Sequence, residues 1–380
     1  MRKPKVAVLG LGIAGSSIAA TLATRGYSVV AFEQFVPLHE RGSSHGDTRI
    51  FRRVPHEGAV YVELAERSYE GWKRWNSTAQ AQLFWECGGI DAGPDGSPMV
   101  QAAESLCRQY EQPFELLDGR EFNRRYSYFR LPDAWRVVYQ PASGVVCPDA
   151  TRAFLHEMAR NAGARLVHDA RILDIVASSH GVRVRTIYEQ VDCDVLIVAA
   201  GSWLPRIFPE LRIPLFPERR VIAWYPFQCP AGSAFQRSPA FVFDSGGGWY
   251  GMPTPDGQIK IGHDKHFNEP IDPEVPVRDP DQRDAELLSD CIKQYFNGVD
   301  NVPAAIKSCI YTNTTDRHFL IDRHPDHKNI LFFSCCSGHG FKYAPVYGEI
   351  AESMLTGNTW SGMDLFQLDR RSTAITRFSD

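Results

Sequence analysis

The 380-residue sequence has no C-x-x-C pair, no low-complexity tract and no surplus of positive charge. It also has no apolar run approaching the roughly 20 residues needed to span a bilayer. Each absence excludes a class. Without paired cysteines, zinc ribbons and thioredoxin-type redox motifs fall away, and no metal site is expected. The nine cysteines (Cys87, Cys107, Cys147, Cys193, Cys229, Cys291, Cys309, Cys335 and Cys336) follow no regular spacing. They read as reduced thiols of a cytoplasmic protein, several of them buried as small hydrophobes. Lys and Arg number 41 against 45 Asp and Glu, which disfavours a nucleic-acid partner held by bulk charge. No membrane partner is expected either. Arg2, Lys3 and Lys5 ahead of Val6–Gly15 imitate a signal peptide, but three spaced glycines and a continuing helical pattern oppose that reading. The ending Arg377-Phe-Ser-Asp380 is not a peroxisomal tripeptide.

What is present is apolar content of 43%, ample for burial, with 25 prolines and 30 glycines scattered as in a loop-rich enzyme. The length points to two or three domains. Lys5–Leu9 reads as a short buried strand that runs into Gly10-Leu-Gly12-Ile-Ala-Gly15. A helix over Ser16–Arg25 and a second strand, Ser28–Phe32, ending at Glu33 complete a βαβ opening. Gly10 permits the tight turn, Gly12 a close pyrophosphate, and Gly15 close helix–strand packing. The helix N-terminus offers free N–H groups to phosphate, and Glu33 stands where ribose hydroxyls need an acceptor. An acid there disfavours NADP and leaves FAD and NAD open.

Further along, Glu63–Trp75 has helical spacing, with Ala65, Tyr69 and Trp72 on one core stripe. The pattern loosens between about residues 85 and 138. A helix over Ala150–Ala162 follows, with Asp149 as its expected N-cap. Strands are expected at Ala164–His168, Val182–Ile187, Asp194–Gly201, Arg219–Gln228, Ala240–Phe243, Gln258–Gly262 and Ile330–Ser334, with a last helix over Ala344–Leu355. The return of a parallel pattern at Asp194–Gly201 makes the nucleotide domain discontinuous. The expected fold is α/β: a Rossmann-like domain (1–84, 145–215 and 310–380) interleaved with a substrate domain on a mostly antiparallel sheet (85–144 and 216–309).

Three segments carry chemistry. Gly42–Arg53 is polar and cationic, and its Arg49 and Arg52 suit bidentate binding of a carboxylate. Lys260 interrupts the apolar strand Gln258–Gly262, where alternation places it opposite Ile259 and Ile261; solvent on that side is the plainer reading. In Ser337-Gly-His339-Gly340-Phe-Lys342, glycines on either side of a histidine imply close approach of backbone to something flat or bulky.

Together these segments resemble the monomeric sarcosine oxidase and N-methyltryptophan oxidase family of the D-amino-acid-oxidase fold group. Five motifs carry the likeness: Gly10–Gly15 with Glu33, Ser44–Arg49 with Arg52, Lys260, Cys309-Ile-Tyr311-Thr, and Ser337–Lys342. The resemblance implies a cytoplasmic monomer with FAD joined covalently through Cys309 to the flavin 8α carbon. It implies cofactor contacts at Gly10, Gly12, Gly15, Glu33, Ser44, Arg49, Ile172, Gly201, Gly338, Gly340 and Lys342. Arg52 and Lys342 would hold a substrate carboxylate. Lys260 would promote reaction with oxygen, with Arg49 against the flavin and Tyr250, Tyr311 and His339 shaping the pocket. The family's pocket histidine falls on Asp264, flanked by His263 and His266, either of which would substitute unless the substrate differs; His263 is named as a substrate contact. The implied activity is oxidation of a secondary amino acid to an imine, with oxygen reduced to hydrogen peroxide. Cyclic imino acids, glycated amino acids and a non-oxygen acceptor stand as alternatives, as does a non-catalytic flavin-binding redox sensor.

Overall fold

Val6 to Leu9 are all buried, an unbroken apolar run that suits a parallel strand covered on both faces. In the computed structural model, which describes residues 2–227, 238–360 and 362–370, Lys5–Leu9 lies near the centre of a six-stranded sheet. It pairs in parallel with Ser28–Phe32 on one side and Val195–Val198 on the other. Arg165–Val167 and Ile330–Ser334 extend the sheet in parallel, and Leu320–Arg323 closes one edge antiparallel. The helix Ile13–Thr24 packs against the helices Pro148–Asn161 and Ala344–Thr356. A Cβ at Gly348 would fall 2.3 Å from that of Thr21, so only glycine allows this approach. On another side, Val182, Val184, Val191 and Cys193 of a small antiparallel sheet join Ala7, Leu9, Val198 and Phe332 in one core.

The chain divides into two units. Among the described residues, one comprises those up to Gly46, Pro148–Pro217 and residues 311–370; the other comprises Asp47–Cys147 and Glu218–Ile310. The chain crosses between them near residues 147, 217 and 310, and residues 47–84 belong to the second unit. The physical reason is pairing and packing: Arg49–Phe51 hydrogen-bonds antiparallel to Gly144–Val146, and Val54 and Val62 pack with Met99, Val100, Val138 and Val242.

The second unit is organised on an eight-stranded sheet. Its order is Ala305–Thr314, Leu215–Pro226, Gln258–His263, Trp249–Pro253, Ala240–Phe243, Gly89–Gly93, Arg136–Gln140 and Glu115–Asp118. Only the junction of Ala240–Phe243 with Gly89–Gly93 is parallel among the registered pairs in this sheet. One face carries Val221, Ala223, Tyr225, Ile259, Ile261, Phe241 and Phe243 into a core with Leu288 and Ile292. The latter two lie on the helix Gln282–Tyr295, which the sequence reading did not anticipate.

Other differences are local. The first long helix of the second unit runs Ala59–Thr78, beyond the predicted 63–75. Asp149 lies in the first turn of Pro148–Asn161 instead of capping it, accepting the Gly46 N–H at 3.1 Å. Cys229, Gln228 and the carboxyl-terminal residues fall outside the described part. No described helix is long and apolar enough to cross a membrane, and no described cluster of three metal-ligating side chains occurs.

Candidate functional site

In the first unit, Gly10 holds a φ of +91°, where a Cβ would meet the Ala199 carbonyl oxygen at 2.6 Å. A Cβ on Gly15 would stand 1.8 Å from the Gly10 carbonyl oxygen. Ser44 Oγ accepts the Ile13 N–H at 3.0 Å and lies 3.3 Å from where a Gly12 Cβ would be. Gly12 supplies no side-chain cap, and the first helical turn has no acid, so the positive end of the helix dipole is not neutralised locally. These features fit a pyrophosphate cradle. Glu33 accepts the Leu11 N–H at 2.8 Å and the Phe35 N–H at 3.2 Å, with His39 Nε2 at 3.4 Å. Burial opposes its ionisation, but His39 and the two N–H groups prevail and hold its carboxyl below the usual range. The acid thus also braces the glycine turn. Ile172 opens the strand Ile172–Ser178 half-buried, and Gly201 opens a short 3-10 turn at a φ of +52°.

The loop Ser337–Lys342 is tightly folded in the same unit. Ser337 and Gly338 have φ of +39° and +75°, and a Cβ on Gly340 would fall 1.5 Å from the Cys335 carbonyl oxygen. The loop is tied back by Ser337 N–H to Thr312 O at 2.9 Å and by His339 N–H to Cys336 O at 2.9 Å. His339 Nε2 lies 3.2 Å from Arg317 O, and its ring stacks on Phe319 at 4.7 Å. These contacts make His339 an anchor of the loop's shape. Lys342 is buried, with Nζ 5.0 Å from the Tyr343 ring centre, and Tyr311 is half-buried.

In the second unit, alternation places Lys260 and Gly262 on the sheet face opposite the large core, with Tyr250, Met252, Ile222 and Trp224 as cross-strand neighbours. Lys260 is 1% exposed, so the outward-facing alternative does not hold. A Cβ on Gly262 would lie 2.3 Å from the Tyr250 ring, so the glycine is what admits the phenol across that strand. Lys260 Nζ donates to Asp47 Oδ1 at 2.6 Å and to Thr48 O at 2.9 Å, and sits 5.1 Å from the Trp224 ring centre. Trp224 Nε1 donates to Asp47 Oδ2 at 2.7 Å. Burial and then the Arg49 cation bring Lys260 down to about 8, against the pull of Asp47 and Cys309. Burial also disfavours the Asp47 carboxylate, yet Lys260 and Trp224 hold it below its ordinary value. Arg49 donates to the same Thr48 carbonyl at 2.9 Å. Cys309 packs with Ile222 and Trp224. Burial pushes other thiols up, Cys87 and Cys107 to about 12 and Cys193 to about 11, whereas Cys309 has the Lys260 ammonium as an electrostatic neighbour.

Two expected substrate contacts, His263 and Arg52, make hydrogen bonds within the second unit. His263 Nε2 donates to Gly246 O at 2.8 Å, its Nδ1 accepts the His266 N–H at 2.9 Å, and its ring stands edge-on to Trp249 at 4.4 Å. Both nitrogens serve the turn. His266 is likewise tied to Asp284, at 2.8 Å. Arg52 is buried, donating to Asp91 Oδ1 at 2.6 Å and Glu57 Oε1 at 2.8 Å. The sequence reading missed Asp47, Trp224, His56, Glu57 and Asp91. Asp91 left a signal of the same kind as Lys260, a lone charge inside the apolar strand Gly89–Gly93.

A profile of the FAD dependent oxidoreductase family, DAO, matches residues 5–354. Monomeric sarcosine oxidase of Bacillus sp. (strain B-0618) is 31% identical over 375 residues, covering 96% of this chain and 95% of that protein. N-methyl-L-tryptophan oxidase of Yersinia pestis (strain Pestoides F) is 30% identical over 349 residues, 90% of this chain and 92% of that one. The open form of NikD, described as an unusual amino acid oxidase essential for nikkomycin biosynthesis, shares the fold. It superposes with a TM-score of 0.85 over 99% of this chain and all of its own, at 20% identity. With a glycine cradle that fits the pyrophosphate and relatives aligned over nearly its whole length, the chain belongs to the FAD dependent oxidoreductase family and acts on CH–NH bonds with FAD as cofactor.

Proposed function

We propose that this enzyme oxidises the C–N bond of a secondary amino acid, of the sarcosine or N-methyl amino acid type, to an imine. Oxygen is reduced to hydrogen peroxide, and hydrolysis of the imine gives an aldehyde and the primary amine. FAD, when bound, accepts two electrons and a hydrogen from the substrate and delivers them to oxygen. The chain's residues supply position and charge. Cys309 is the tether to the flavin 8α carbon, favoured because it packs on the sheet face that carries the buried Lys260 ammonium. Lys260 is the fixed positive charge for oxygen reduction, held in place by Asp47 and Thr48. Arg49 stands beside it as a second cation toward the flavin. Arg52 is an anchor for the substrate carboxylate.

The observation that carries this reading is the buried ammonium of Lys260 on the same sheet face as Cys309. A lysine buried in an apolar strand is costly unless it has work to do there. The test is a panel of sarcosine, other N-methyl amino acids, proline, pipecolate and glycated amino acids added anaerobically to the holoenzyme. An N-methyl amino acid should bleach the flavin, and aerobic turnover should yield one peroxide per amine consumed. Bleaching only by cyclic or glycated substrates, or turnover without peroxide, would refute the assignment.

A further inference from the structure

The backbone of the glycine turn is held on both sides of Leu11. Glu33 accepts the Leu11 N–H at 2.8 Å, and the Leu11 carbonyl accepts from Ser16 Oγ at 2.9 Å. Ser16 belongs to the helix Ile13–Thr24, and its Oγ also lies 3.0 Å from Nε2 of His156, on the helix Pro148–Asn161. Leu11, Ser16 and His156 are all buried. One hydroxyl carries one hydrogen, and a carbonyl can only accept. With that hydrogen given to Leu11, the contact with His156 is a hydrogen bond only if Nε2 donates. The imidazole is neutral: burial, then His168, Arg160 and Arg152, bring it down to about 4, against the pull of the Leu11 backbone. Its single N–H is therefore on Nε2. The His168 ring lies 5.6 Å away, centre to centre.

A serine within a helix can turn its hydroxyl to the carbonyl four residues back, here that of Gly12, which already accepts the Ser16 N–H at 2.9 Å. A donor reaching Oγ from His156 sets the hydroxyl hydrogen toward Leu11 instead. The Leu11–Gly12 peptide is trans and planar, so its N–H points opposite to its carbonyl. We propose that His156 is a positioning residue of the FAD site: its Nε2–H commits the Ser16 hydroxyl to the Leu11 carbonyl and thereby fixes the direction of the Gly12 N–H in the cradle. This rests on the glycine turn as the seat of the pyrophosphate, and not on the identity of the amine. His156 acts through Ser16, and its effect belongs to the diphosphate half of the cofactor, not to the flavin ring.

The test titrates FAD, and separately ADP, into full-length apoprotein from riboflavin-starved cells, in a Cys309→Ser background so that no thioether forms at that thiol. ADP carries the pyrophosphate without the flavin. His156→Leu should weaken FAD and ADP by the same factor, about tenfold, as expected for one buried hydrogen bond. His156→Gln, which keeps a donor, should stay within about threefold of the parent protein. Ser16→Ala should weaken both ligands, and adding His156→Leu to it should weaken them less than about twofold further, because the two residues act in series. In wild type carrying isotope-labelled histidine, the imidazole signal lost in His156→Gln should be that of the Nε2–H tautomer. Unchanged FAD and ADP affinities in His156→Leu, a loss for FAD alone, or full additivity with Ser16→Ala overturns the proposal. If His156→Leu does not fold, the tautomer decides, and an Nδ1–H signal overturns it. Normal FAD and ADP binding in Gly15→Ala would sink the cradle reading itself; weak binding there beside an unaffected His156→Leu would sink only this inference.

Discussion

Buried Lys260 and half-buried Asp47 form an ion pair 2.6 Å long in which the carboxylate is also fixed by the Trp224 indole N–H. The pair keeps the lysine charged where burial and Arg49 would discharge it, leaving its titration at about 8. The sign follows directly. Protonated Lys260 predominates below that value, so reoxidation of reduced flavin should be fastest there and fall as pH rises through it. Asp47→Asn removes a contribution that raises the Lys260 value, so the fall should move to lower pH. At neutral pH, stopped-flow reoxidation should slow by about tenfold or more, with anaerobic reduction nearly unchanged. Equal slowing of both half-reactions would show that Asp47 serves general stability instead.

Cys309 offers a test that needs no substrate. Acid-precipitated wild-type protein should carry the yellow colour into the pellet, and a tryptic peptide containing Cys309 should carry the flavin mass. Cys309→Ser should release FAD to the supernatant. Cys335→Ser and Cys336→Ser should keep it bound, since Cys335 is buried with its thiol pushed well up and Cys336 is occupied as acceptor of the Thr312 N–H. Colour retained in Cys309→Ser would place the tether elsewhere.

The nucleotide end was legible because each of its features is local. Gly10, Gly12, Gly15 and Glu33 lie within one βαβ unit, and their spacing alone encodes the turn, the close approach and the acceptor. Lys260 was legible as an oddity but not as buried. Alternation gives the side of a strand, and whether that side meets water depends on residues far away in sequence. Asp47 is 213 positions from the lysine it holds and Asp91 is 39 from Arg52, and neither separation follows a helical or strand period. The turn at Gly246 and His266 that takes up both nitrogens of His263 has no one-dimensional signature. The placement of residues 47–84 is non-local in the same way, because the three-residue strand Arg49–Phe51 finds its partner nearly a hundred residues on.

Gly15 and Gly340 should separate cofactor binding from simple misfolding. A Cβ at Gly15 would press 1.8 Å from the Gly10 carbonyl oxygen, within the turn proposed to receive the pyrophosphate. Gly15→Ala should therefore yield protein with little flavin, and added FAD should stabilise it much less than it stabilises wild-type apoprotein. Gly348→Ala offers the contrast, since its Cβ would meet Thr21 between two helices. It should lower stability by about 1–3 kcal/mol while leaving flavin stoichiometry near one. Normal flavin content in Gly15→Ala would detach that turn from the cofactor.

His263 gives the sharpest division between a structural and a substrate role. With Nε2–H given to Gly246 and Nδ1 accepting from His266, its ring is neutral, and burial keeps its basicity below the ordinary value. His263→Ala removes both bonds and the edge-on contact with Trp249. It should lower unfolding free energy by about 2–4 kcal/mol, the sum expected for two buried hydrogen bonds and a small cavity. Because the native group is uncharged at neutral pH, a depressed histidine value contributes stability only above it and weakens the fold as pH drops toward acid. The wild-type minus variant difference in denaturation midpoint should therefore shrink on acidification. KM for the best amine should change less than about threefold, since neither nitrogen is directed at a ligand. A tenfold rise in KM with an unchanged midpoint would return His263 to the substrate pocket and require the turn at Gly246 to be held by some other group.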